Sequence, residues 1–130
     1  REIELLSEYN EGITATSSTN DADKIKEKNA WLSVMNDFNK AIQLQPAFSI
    51  AYFNRANVKC RLLDFEGALK DYETAIKIDP RFAEAHYNAG FVMYYLNLKS
   101  NACIEFSKAG ELGLTASYYF IKNYCTDIPK

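Results

Sequence analysis

Apolar residues recur along this chain at spacings of three and four, in blocks of about a dozen, and short turn-forming segments separate the blocks. The blocks at 48–61, 65–78, 82–96 and 99–111 each predict one amphipathic helix. Ala68, Tyr72 and Ala75 form a row at i, i+4 and i+7, and Ala102, Phe106 and Ala109 repeat it. On the intervening blocks the packing rows are Tyr52, Ala56 and the aliphatic stem of Lys59, then His86, Gly90 and Met93. Small residues at 56 and 90 allow a partner helix to approach closely. Upstream, the stretch from Ala22 to Gln45 runs unbroken to Pro46, and Asn20 or Asp21 is a suitable N-cap with acidic residues in the first turn. This predicts one long helix over 21–44. The polar segment before it, "TATSSTND", is turn chemistry, because short Ser, Thr, Asn and Asp side chains compete for helix backbone groups. After the last block Gly113 is a good C-cap, and 115–125 predicts a final short helix.

The blocks repeat at a fixed offset. Pro46 and Pro80 are 34 residues apart, as are Asn54 and Asn88, Ala68 and Ala102, Tyr72 and Phe106, and Ala75 and Ala109. Ala68-x3-Tyr72…Pro80 and Val34-x3-Phe38…Pro46 resemble the second-helix signature of the tetratricopeptide (TPR) repeat, and Ala102-x3-Phe106 follows with Leu114 in place of the proline. The first-helix half departs from the family pattern: Tyr52 and His86 replace its Trp, Arg55 and Ala89 its Leu, Lys59 and Met93 its Tyr. Laying Tyr9-Asn10-Glu11-Gly12 on Phe53-Asn54-Arg55-Ala56 makes residues 1 to about 16 the first helix of one more repeat, whose second helix is displaced by about ten residues.

The resemblance implies an all-α fold: a single domain over 1–130, a right-handed α-solenoid of three TPR hairpins plus a C-terminal capping helix. Repeat one covers 1–46, with an insertion and extended second helix near 17–30. Repeat two covers 47–80, repeat three 81–114, and the cap helix 115–125. Solenoids need such caps, since each unit buries its apolar face only against a neighbour.

A second stripe on the first helices follows Phe53, Asn54, Asn57, Cys60 and Arg61, matched by Tyr87, Asn88, Phe91, Tyr94 and Tyr95, and by Tyr9, Asn10 and Ile13. In TPR proteins this stripe lines a concave groove that holds extended peptides. The resemblance therefore implies a peptide-binding set of Asn10, Phe53, Asn54, Asn57, Arg61, Tyr87, Asn88, Phe91, Tyr94 and Tyr95. A carboxamide offers donor and acceptor together and can grip a peptide unit of any sequence. Clamps for acidic chaperone tails carry several Lys and Arg in the groove, whereas here the third repeat is aromatic, with Tyr118 and Tyr119 of the cap as candidates to join it. The expected function is a non-enzymatic interaction module for an apolar or aromatic peptide of a protein partner. The alternative is self-association, a homo-oligomer assembled through the extended helix 21–44 or the solenoid ends.

Composition narrows the partner class. A 48% hydrophobic and 25% charged chain is globular, and a net charge of −2 offers no electrostatic reason to bind nucleic acid or an anionic membrane. No apolar run approaches the roughly 18 residues of a spanning helix. Arg1 is not followed by a charged-then-apolar leader, and a start other than methionine points to trimming or processing. There is no Gly-rich phosphate loop, no GxSxG and no His–carboxylate pair that spacing brings together, so no enzyme or cofactor is expected. "DAD" at 21–23 opens like a calcium loop but lacks the Gly and Glu such a loop needs, and reads as a helix cap. Three cysteines without a CxxC pair and one histidine, His86, exclude a zinc site. The ending "ACIEFSKAGELG…IKNYC" resembles that of bacterial TPR proteins in which paired cysteines recur. That resemblance implies a Cys103–Cys125 disulfide and an exported or periplasmic protein; two buried thiols in a cytoplasmic one is the other reading.

Overall fold

The computed structural model describes residues 20–126, which form six α-helices and, among those residues, no strand. They are α1 (Asp21–Leu44), α2 (Ser49–Arg61), α3 (Phe65–Ile78), α4 (Ala83–Tyr95), α5 (Lys99–Glu111) and α6 (Ser117–Tyr124). The helix predicted over 1–16 lies outside the described residues, and so do Tyr9, Asn10 and Ile13.

Each boundary has a local cause. Asn20 caps α1 by accepting from the Ala22 amide at 3.1 Å, with Asp21 and Asp23 in the first turn. Asp64 caps α3, accepting from Gly67 N at 3.0 Å. α1 and α3 stop one residue before Pro46 and Pro80 can enter, since proline cannot continue a helix. The ends of α2, α4 and α5 share another device. The amides of Asp64, Leu98 and Leu114 reach back to the carbonyls of Lys59, Met93 and Ala109 at 2.8, 2.8 and 3.0 Å. Leu63, Asn97 and Gly113 sit between them at φ 63°, 66° and 105°. Glycine and asparagine suit that conformation; the leucine adopts it at a cost of about 1–2 kcal/mol.

Each helix packs chiefly on the helices next to it in sequence: α1 on α2, α2 on α3, and onward to α5 on α6. One core cluster joins α2, α3 and α4 through Phe53, Ala56, Cys60, Phe65, Ala68, Tyr72, Ala75, Ala85, Ala89 and Val92. A second joins α4 and α5 through Tyr87, Met93, Ala102, Phe106 and Ala109, with Phe120 and Ile121 of α6 partly buried against it. The predicted packing rows fill these clusters, and Tyr72 and Phe106 are the largest fully buried side chains. Gly90 is needed where it stands, because a Cβ there would lie 2.8 Å from the Phe106 ring. Lys59 departs from the sequence reading: its ammonium ion-pairs with Asp71 at 2.9 Å. α1 buries no residue; Phe38 is half-buried while Val34, its row-mate, is exposed, and the helix that row would face lies outside the described residues.

A disulfide joins Cys103 of α5 to Cys125 just beyond α6, with Cα atoms 5.9 Å apart. Cys60 is buried, its Sγ 3.8 Å from the Tyr72 hydroxyl.

Candidate functional site

The candidate face is built from α2, α4 and α6, the first helices of successive units. Side chains connect them directly: Asn88 of α4 reaches Asn57 of α2, and Phe91 and Tyr94 of α4 meet Phe120 and Tyr124 of α6. Helical spacing brings Phe53, Asn57 and Cys60 onto one side of α2 and Tyr87, Phe91 and Tyr94 onto the matching side of α4.

Asn57 is the polar centre. Its Oδ1 accepts from the Tyr72 hydroxyl of α3 and from Asn88 Nδ2 at 3.2 Å. Both bonds fall on the oxygen, which fixes the amide orientation and leaves Nδ2 as a donor with no acceptor among the described residues. Asn57 itself is half-buried. Asn88 is 3% exposed and its Oδ1 is buried without a partner.

The asparagine ladder drawn from the sequence is thus divided. Asn88 lies beneath the face and acts within the fold; Asn54 is half-buried; Asn10 lies outside the described residues. Phe53 is buried between Tyr72 and Phe82, ring centroids 5.8 and 4.7 Å away. Tyr87 is also buried, edge-on to Phe91 at 4.8 Å. These residues support the face from below. Arg61 stacks over the Trp31 ring of α1 at 5.2 Å.

At the far end the rings form a continuous group. Phe91 lies 4.7 Å from Phe106 and 4.5 Å from Phe120, and Tyr94 lies 5.6 Å from Tyr124. The Lys99 ammonium sits over Tyr94 at 5.6 Å. Tyr95 is directed elsewhere, onto Phe65 of α3 at 4.3 Å. Phe120 and Tyr124 were not among the sequence candidates; Tyr118 instead covers Gly110, and Tyr119 touches the group only through Phe120. The i, i+4 spacing of Phe120 and Tyr124 on the cap was the signal available.

A second arrangement that spacing alone did not reveal concerns charge. Asp71 of α3, 4% exposed, receives both Arg55 Nε and Nη2 at 2.7 Å and the Lys59 ammonium at 2.9 Å. Arg55 also donates to Asn39 of α1 at 3.0 Å. The Asp71 hydrogen bond, partly opposed by desolvation, raises the Arg55 pKa and holds it charged. Two of the cations that could meet an acidic peptide are thereby committed inside the α2–α3 hairpin. The expectation of no His–carboxylate pair is corrected here: the fold brings His86, 3% exposed, to Glu105 across the α4–α5 hairpin, with Nδ1 2.6 Å from Glu105 Oε2 and Nε2 2.8 Å from the Pro80 carbonyl. Among the described residues no cluster of His, Cys, Asp and Glu could hold a metal, and no helix is long and apolar enough to cross a membrane.

Comparison with known proteins follows the same architecture. Residues 64–97 match the family model of the TPR repeat. A search of curated proteins finds no match. Among solved structures the chain is similar to MamA, at 27% identity and TM-score 0.62, covering 74% of this chain and 54% of that one. The chain therefore spans about half the length of MamA. It is also similar to YrrB, described as a TPR protein with an unusual peptide-binding site. There the identity is 34% and the TM-score 0.56, over 58% of this chain and 39% of the other. The first TPR of Spaghetti (RPAP3), bound to the HSP90 peptide SRMEEVD, has TM-score 0.70 at 17% identity, over 81% and 85% of the two chains, and shows likeness of fold alone.

Proposed function

Because the chain is a tetratricopeptide-repeat protein, we propose that it is a protein-interaction module holding an extended apolar or aromatic segment of a protein partner across α2, α4 and α6. The observation that carries this reading is Asn57, whose oxygen is occupied from below and whose Nδ2 is left to donate to a peptide carbonyl. Asn54 and Arg61 flank it on α2, and Phe91 and Tyr94 with Phe120 and Tyr124 supply the apolar end. Rings of this kind give large contact energies when a partner covers them. The described peptide-binding site of YrrB lends support from a related fold. Asp71 draws Arg55 and Lys59 into the α2–α3 hairpin and its one carboxylate offsets one of their two charges, which weakens the case for an acidic tail as ligand.

Asn57→Asp separates binding from folding. The carboxylate still accepts from Tyr72 and Asn88 but cannot donate outward. With a partner peptide selected on an array, the substitution should weaken the measured Kd about tenfold or more, the effect of one hydrogen bond plus an oxygen–oxygen repulsion. Unchanged affinity would remove Asn57 from the contact.

Self-association is favoured by a different observation. α1 is 24 residues long and buries none of them, with Ile25 60% and Leu44 88% exposed. Light scattering across a concentration series tests it, and a mass independent of concentration at the monomer value ends it.

A further inference from the structure

The last helix is held to the chain by a covalent bond as well as by packing. Of the eight residues of α6 only Ser117 is buried, and Tyr118, Tyr119 and Tyr124 are exposed. Ala116 provides no side-chain cap, and a helix this short, below about 12 residues, does not persist in water alone. Its non-covalent hold comes from Phe120, Ile121 and Cys125, partly buried against the second core cluster, with Ser117 and Tyr118 against Gly110 and Tyr124 on Tyr94. The disulfide to Cys103 then ties its far end back across 22 residues of chain. Both cysteines are half-buried at the edge of the fold, whereas Cys60 is buried in the other cluster.

What α6 covers gives the bond a consequence. Phe120 lies on Phe91, Tyr87 and Phe106, and Tyr124 on Tyr94. We propose that the Cys103–Cys125 disulfide is a redox latch: reduction by a dithiol frees α6 and uncovers the aromatic end of the α4–α5 hairpin. A reductant thiolate attacks one sulfur, forming a mixed disulfide and expelling the other cysteine as a thiolate that takes up a proton. The reductant's second thiol displaces the remaining cysteine, which is likewise protonated, and the dithiol departs as a disulfide. Two electrons and two protons pass to the chain. The effect on a bound peptide rests on the groove reading above; the latch itself does not.

Hydrogen exchange on the full chain, oxidised and then reduced with dithiothreitol, tests the latch without any ligand. Amide protection over 117–124 should fall on the order of a hundredfold, the loop-closure effect of that separation, while α2, α3 and α4 keep theirs. The Cys103→Ser/Cys125→Ser variant should match the reduced chain before any reductant is added. Equal protection of α6 in both states overturns the proposal. So does a loss shared equally by α4 and α5, which would make the bond a staple of the whole domain. A dithiol response that survives in the double variant overturns it as well. A working latch together with affinity insensitive to Asn57→Asp would remove Asn57 from the groove contact and leave the latch standing.

Discussion

Phe106→Ala should cost about 4 kcal/mol of unfolding free energy, towards the upper end for a buried phenylalanine. The ring is 1% exposed and touches Tyr87, Phe91 and Phe120, and its other face lies on Gly90. Large-to-small changes are mildest where neighbours can move into the space. Here one wall of the cavity is a glycine with no side chain to offer, and the neighbouring rings are braced against one another. Phe106→Leu keeps most of the volume and should lose about 1–2 kcal/mol. Urea or guanidinium midpoints measure both. A loss below about 1 kcal/mol for the alanine variant would mean that the second cluster is not where the stability of the α4–α6 unit resides.

Asp71→Ala should be comparably severe, about 3 kcal/mol, for an electrostatic reason. Removing one member of a buried ion group leaves the others desolvated without compensation, and here two cations, Arg55 and Lys59, lose the same carboxylate. Their side chains are 20% and 21% exposed, so water recovers part of the loss, which places the value at the lower end of the usual range for such pairs. The decisive companion is Arg55→Leu/Lys59→Tyr/Asp71→Ala, which restores apolar residues of the family pattern. If desolvation governs, this triple variant should regain the stability that the single variant loses, because apolar replacement of a buried ion group is often neutral or stabilising. A triple variant as unstable as Asp71→Ala would show that the ionic group holds the α2–α3 hairpin by more than charge balance.

The architecture was legible because its signals are local and repeated. Pro46, Pro80 and Gly113 stand where helices end, Asn20 caps the long helix, and Tyr72 and Phe106, 34 residues apart, occupy the same buried position. The candidate site was legible only in outline. Asn54 and Asn88 share a register yet differ in fate, because what covers a first helix is the hairpin before it. α4 packs on α3 and reaches Asn57 of α2, while among the described residues α2 has only α1 before it. The Arg55–Asp71 pair spans two antiparallel helices and 16 residues, so neither helix alone announces it. Its trace was the carboxylate preceding Tyr72 and two cations at i, i+4 where the pattern expects apolar groups. The cap was misjudged at Tyr118 and Tyr119 because the rotation of an eight-residue helix is set by its docking, here by Gly110 beneath Tyr118.

The neighbour-to-neighbour packing of these helices also has a kinetic meaning. Every major contact closes a short loop, so little chain entropy is spent before a contact forms, and folding in the microsecond-to-millisecond range is expected for such local topology. Among the described residues no major helix pairing waits for distant parts of the chain to meet. Assembly can begin at either hairpin and spread along the chain, and a sequence organised this way can lengthen by whole hairpins while those already present keep their contacts.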